Sequence, residues 1–203
     1  MQKSAIILAG GFSRRFGSDK GLVLLMDKPL VCHVIDKVST VVDEILVVVS
    51  SKEQKKKFKS VVKKTAKLII DKDDSQTPLV GAIAGFESVN SEYSLLLPCD
   101  APFVSTQIIQ FLLNMCINKN AAIPRWPSGY LEPLQAVYHT KSALTAAKTA
   151  FKNGHMNMRS IIDNLKGIRY ISTMVLEQLE PRPLSFFNVN TPQDLKKAVS
   201  FLK

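Results

Sequence analysis

Short, continuously apolar runs recur along this chain with helix-like segments between them, and that pattern restricts the fold more than any other feature. Residues 5–8 (AIIL), 45–49 (ILVVV), 68–70 (LII) and 94–97 (SLLL) show no in-and-out polar alternation. Each therefore reads as a strand buried on both faces. The segments between them carry apolar residues at helical spacing: 30–42, the lysine-rich stretch after Ser51, 80–89, and 106–118 with Ser105 or Thr106 as its N-cap. Further on, 121–123 and 134–138 read as strands, and 140–152 and 158–165 as helices. Buried strands alternating with helices predict an α/β fold, a mostly parallel sheet covered by helices on both faces. Ligands of such sheets bind beyond the carboxyl ends of strands. The loops after Leu8, Leu97 and Tyr138 are therefore the places to look for chemistry.

The last segment is equally legible. In NVNTPQDLKKAVSFL, Thr191 is placed to cap a helix, Pro192 takes its first position and Asp194 its third. Leu195, Val199 and Leu202 then repeat on one face. With 203 residues, no repeats and no low-complexity linker, the expectation is one domain over 1–203.

Composition narrows the partners. The formal net charge is +10, which suits an anionic partner such as nucleic acid, a phosphate compound or a membrane surface. Much of the excess is local: residues 51–67 hold eight lysines and one glutamate. With Phe58 the only aromatic among them, a solvated helix face is the better reading than a nucleic-acid patch. Cys32, Cys99 and Cys116 lie far apart and form no CxxC or Cys/His metal pattern, which fits a reducing compartment. No signal peptide or membrane span is visible, so a cytoplasmic protein that binds neither nucleic acid nor membrane is expected.

The stretch AGGFSRRFGSDKG (9–21) follows the first strand and holds four glycines, two arginines and a lysine in thirteen residues. Gly10 and Gly11 let backbone approach a ligand closely, and their N–H groups can face phosphate oxygens. Arg14, Arg15 and Lys20 can neutralise a polyphosphate, the arginines in bidentate fashion and the lysine as a point charge. The spacing fits neither the dinucleotide fingerprint nor the P-loop. Asp100, just past the 94–97 strand in LLLPCDAPFV, is the natural oxygen ligand for a hard divalent cation. Cys99 beside it reads as a small buried residue, because no histidine stands near it in sequence.

These motifs carry a resemblance. LAGGFSRRFGSDKGLVLLMDKPL is similar to the LAGGxSxRxGxDKxLxxxxGxPL signature of the molybdenum cofactor guanylyltransferases, with Asp27 where that family often has Gly and Phe16 where Met is common. LLLPCDAPFV, LEPLQAVYHT (131–140) and the closing FFNVNTPQDL resemble further family segments in the same order. The resemblance implies a Rossmann-like, glycosyltransferase-A-like fold. It also implies transfer of GMP from GTP to molybdenum-molybdopterin, with release of pyrophosphate. On this resemblance Leu8, Ala9, Gly10, Gly11, Arg14, Lys20, Asp71, Gly81 and Asp100 would bind the nucleotide. Arg15, Lys20 and Asp100 would carry catalysis, and Asp100 would hold Mg²⁺. Arg159, in NGHMNMRSIID, would take the acceptor's phosphate. Asn188 and Asn190, alternating along an extended segment, would face one way and read the pterin. Thr77 stands where the family's segment has a first glycine, and Ser50 and Ser51 stand where it has an asparagine. Glu132 could orient substrate, complete a metal site or form an edge-strand ion pair. Partners implied are GTP, molybdopterin, and proteins that insert molybdenum or mature molybdoenzymes. The rival readings are a cytidylyltransferase of the same fold and a non-catalytic nucleotide or cofactor carrier.

Overall fold

A computed structural model describes residues 2–13, 15–62, 66–71, 77–180 and 184–202. Its strands are β1 (Lys3–Leu8), β2 (Glu44–Val49), β3 (Lys67–Ile70), β4 (Tyr93–Pro98), β5 (Ala121–Arg125), β6 (Ala136–His139) and β7 (Ile168–Ser172). Its helices are α1 (Leu30–Val38), α2 (Lys52–Lys59), α3 (Pro78–Ser88), α4 (Thr106–Met115), α5 (Thr140–Lys152), α6 (Arg159–Asp163), α7 (Thr173–Leu179) and α8 (Pro192–Phe201). The seven strands form one sheet in the order β7-β5-β6-β4-β1-β2-β3. All neighbours run parallel except β6, which is antiparallel to both β4 and β5.

Continuous apolarity has the expected cause. In β1, Ala5 and Ile7 face a core layer built by α1, α4, Phe58 and Leu176, while Ile6 faces the layer of α3, α5 and α6. Side chains alternate across the pleat, so a strand covered on both sides needs apolar residues at every position. A smaller third cluster joins Val23, Leu25 and Leu30 to Val189 and Ala198 of the last segment.

Two predicted helices end early. The α1 helix stops at Val38 because the next residues bond backward: Ser39 Oγ donates to Asp36 O at 2.9 Å and Thr40 Oγ1 to Lys37 O at 3.2 Å. After α4 ends at Met115, the chain turns through Asn118 at φ 58°, a left-handed position that asparagine tolerates. Between β1 and α1 lie two short ribbons, Phe12–Ser13 with Ser18–Asp19 and Leu24–Leu25 with Lys28–Pro29. The second turns through Met26 (φ 49°) and Asp27 (φ 61°). Two consecutive positive φ values make a hairpin turn that glycine enters most easily, which accounts for the glycine at Asp27's position in the resembling signature.

Candidate active site

The antiparallel course of β6 changes which loops share an edge. The loop leaving β6 after Tyr138 lies at the opposite edge, where the His139 side chain caps α5. It is therefore not part of the site, contrary to the parallel-strand expectation. The segment entering β6, Leu131–Gln135, takes its place. It joins the loops after β1 and β4 around a cleft of about 750 Å³.

Every site residue expected from sequence and described in the structure lines this cleft, apart from Asp71 and Gly81: Leu8, Ala9, Gly10, Gly11, Arg15, Lys20, Asp100, Arg159, Asn188 and Asn190. Arg14 lies outside the described residues. Asp71 sits two strands along the edge from β1, at the end of β3. It is buried, and its N–H donates to Val49 O at 2.9 Å. Gly81 serves packing: a Cβ there would stand 3.3 Å from Leu8 Cδ2, where α3 crosses β1.

The glycine turn is held close to the neighbouring strand. Ala9 N–H donates to Val48 O at 2.8 Å, and a Cβ on Gly10 would come within 3.1 Å of Ser50 N. Gly17 takes φ 62° between the strands of the first ribbon, a conformation that costs other residues more. That ribbon delivers Lys20 into the cleft. Its ammonium forms an ion pair with the buried carboxylate of Asp100 and donates to Asn190 Oδ1, 170 residues away. Asp100 also fixes the last segment through its carbonyl, which accepts from Val189 N–H at 2.9 Å. Val189 points into the core while Asn188 and Asn190 line the cleft on either side of it, so the expected alternation is present. The Thr191 cap is also present: Asp194 N–H donates to Thr191 Oγ1 at 3.1 Å, and Asn190 N–H to Asp194 Oδ2 at 3.1 Å.

The opposite wall comes from Tyr130–Gln135 and from Asn157, Met158, Arg159 and Ile162. Glu132 lines the cleft and accepts from Trp126 Nε1 at 2.7 Å across its hairpin; among the described residues it forms no ion pair. Burial holds its carboxyl pKa above the ordinary value, and the indole N–H acts in the opposite direction. Cys99 is buried beside Asp100, and burial first, then that carboxylate, pushes its thiol far above the usual range. It is therefore no nucleophile. Sequence reasoning missed Gln135, which is 4% exposed and donates to Asn188 Oδ1 at 3.4 Å. Its only signal was a polar residue inside an apolar run. Among the described residues no group of three His, Cys, Asp or Glu could hold a metal ion. A cation here would take Asp100 and draw its other ligands from a bound phosphate, a pattern Mg²⁺ accepts.

The arrangement suits binding a polyphosphate and moving a nucleotidyl unit: close backbone, the cations Arg15 and Lys20, the carboxylates Asp100 and Glu132, and side-chain amides. Comparison with known proteins agrees. Residues 5–168 match the family described as the MobA-like NTP transferase domain. A protein of Methanosarcina mazei named probable molybdenum cofactor guanylyltransferase is 31% identical, over 99% of this chain and 92% of its own length. One of the same name from Natranaerobius thermophilus is 34% identical, over 98% and 96%. The crystal structure of molybdopterin-guanine dinucleotide biosynthesis protein A from Archaeoglobus fulgidus superposes with a TM-score of 0.83 at 27% identity, covering 98% of both chains. A 2-C-methyl-D-erythritol 4-phosphate cytidylyltransferase from Thermus thermophilus shares the fold, with a TM-score of 0.72 at 16% identity over 99% of this chain and 98% of its own. This chain is thus a nucleotidyltransferase and belongs to the MobA-like NTP transferase family, that of the molybdenum cofactor guanylyltransferases.

Proposed function

We propose that the protein transfers GMP from GTP to molybdenum-molybdopterin. The observation that carries this reading is the meeting of Lys20 with both Asp100 and Asn190 in one cleft below the glycine turn. One ammonium then stands where a nucleotide's phosphates and an acceptor's phosphate have to come together. An oxygen of the acceptor's terminal phosphate attacks the α-phosphorus of GTP. The bond between that phosphorus and the α–β bridging oxygen breaks, and pyrophosphate leaves with the electron pair. A phosphate nucleophile is already anionic at neutral pH, so the step needs no strong general base. It needs positioning and charge neutralisation.

Gly10 and Gly11 offer backbone N–H groups to the phosphates, and Arg14, Arg15 and Lys20 neutralise the departing pyrophosphate. Asp71 is assigned to the nucleoside on the family resemblance alone, since it does not line the cleft. Arg159 takes the acceptor's phosphate, and Asn188 and Asn190 face its heterocycle. Asp100 fits Mg²⁺, which when bound would neutralise charge on the nucleotide. The names of the relatives support guanine over cytosine. Ser50 and Ser51 are engaged by α2: Ser50 N–H and O–H both donate to Gln54 Oε1, and Ser51 Oγ accepts from Gln54 N–H. The setting is cytoplasmic, where the three cysteines, which form no disulfide, stay reduced. Proteins that insert molybdenum or mature molybdoenzymes are the partners such a product implies.

Titration calorimetry with GTP, CTP and ATP, each with and without Mg²⁺, tests the reading, followed by molybdopterin addition and measurement of pyrophosphate. GTP preference and pyrophosphate release are expected. CTP preference would overturn the guanylyl assignment and keep the reaction class. Binding without any pyrophosphate release would favour a carrier.

A further inference from the structure

The signature aspartate next to Lys20 does not enter the cleft. Asp19 is 3% exposed, and its carboxylate faces α2, where it accepts from Gln54 Nε2 at 2.7 Å and Lys57 Nζ at 2.9 Å. It stands at the cap position of the short turn Lys20–Leu22 yet makes no side-chain cap bond there. The local use of such an aspartate is given up for a contact 35 and 38 residues away. Gln54 is itself 7% exposed. Its Oε1 accepts from Ser50 N–H at 2.9 Å and Ser50 Oγ at 2.8 Å, which turns its amide nitrogen toward Asp19. The other buried residue of α2, Phe58, packs so closely under Gly21 that a Cβ there would meet the ring at 3.0 Å. Helix α2 therefore presents both of its buried side chains to residues 19–21, while its remaining lysines lie on the surface.

Charge gives this contact a purpose. Asp19 and Asp100 are both within reach of the segment that carries Lys20, but Lys20 has one ammonium. A buried carboxylate that lost its partners would be an uncompensated charge, and Lys20 is its neighbour in sequence. We propose that Gln54 and Lys57 are positioning residues for Lys20: by occupying both oxygens of Asp19, they leave the Lys20 ammonium to Asp100, Asn190 and the substrate. This also gives a task to one lysine of the lysine-rich stretch that its composition alone did not disclose.

Only the activity arm of the test rests on nucleotidyl transfer. Gln54→Leu removes both ends of the amide, and Lys57→Met removes the charge from a side chain that is 59% exposed, where folding is least at risk. The first readout is the rate of reductive methylation of Lys20, measured by peptide mass spectrometry and normalised to Lys148. Freed Asp19, 3% exposed, should draw the Lys20 ammonium out of the cleft into a buried ion pair, so labelling is expected to slow about threefold or more in both variants. Lys57→Met should leave the melting temperature little changed, whereas Gln54→Leu, which also strips the Ser50 donors of their acceptor, should lower it. An unchanged or faster rate overturns the proposal, as does a fall in melting temperature alone in Lys57→Met. The second readout is turnover. Gln54→Leu should lower kcat about tenfold while changing the nucleotide KM less than about threefold, and should add nothing in a Lys20→Met background. Multiplying losses would show that Gln54 acts independently of Lys20. If the wild-type protein transfers no nucleotide at all, the functional reading falls and the labelling result decides the positioning by itself.

Discussion

At Lys20 one ammonium serves two oxygens, the carboxylate of Asp100 and the amide of Asn190. Replacing Asp100 by Asn keeps the shape and removes the charge, so pyrophosphate release is expected to fall about 10²-fold or more, with the far-UV spectrum and melting temperature little changed. Arg159 is exposed at the cleft wall. Arg159→Ala should raise the acceptor KM while leaving GTP affinity within about twofold in calorimetry. Glu132 makes a prediction about pH. Its carboxyl pKa is raised by burial, so the folded protein holds this proton more tightly than the unfolded chain does. The stability it contributes is complete below the ordinary carboxylate value and is lost as pH rises through the raised one. Glu132→Gln keeps an acceptor for Trp126 and carries no charge. Its melting temperature should exceed wild type near pH 7 and match it near about pH 4, a difference that parallel thermal melts would reveal. Matching curves at both pH values would refute the assignment.

Among the elements, the tightest junction is α3 on β1. A Cβ at Gly85 would lie 2.3 Å from Ile6 Cγ2, so Gly85→Ala must displace helix or strand and should cost about 1–3 kcal/mol in denaturant unfolding. At α8, Thr191→Ala removes the cap that Asp194 N–H uses and should cost about 1 kcal/mol. The sequence made α8 readable because cap, proline and acidic residue are all local signals. The buried strands were readable because two-sided burial leaves an unbroken apolar run. Two elements left no such mark. β7 is an edge strand in which Ile171 is buried while Tyr170 and Ser172 are exposed, and α7 buries only Thr173 and Leu176. The direction of β6 was also hidden, because apolarity reports burial and not polarity of the chain. That is why the 131–135 segment, and Gln135 within it, had to be found in the folded protein.

Across the whole molecule, the cleft is assembled from the start, middle and end of the chain. The wall formed by Gly10, Gly11, Arg15 and Lys20 could be read from sequence because glycines and cations cluster within thirteen residues. The link from Asp19 to Gln54 and Lys57 could not, because nothing local marks which lysine of this stretch meets a carboxylate 38 residues away. With Lys20 already paired to Asp100, a divalent cation has little to gain at that carboxylate until phosphates draw the ammonium away. Calorimetry should therefore show no Mg²⁺ binding to the protein alone, and binding once GTP is present. Tight binding by Mg²⁺ alone would contradict this. The pairing of Lys20 with Asn190 also has a bearing on synthesis. A chain still being made holds its glycine turn, its cations and Asp100 long before Asn190 and the Val189 bond to Asp100 exist. The cleft is thus finished only when the segment carrying Val189 and Asn190 has been delivered.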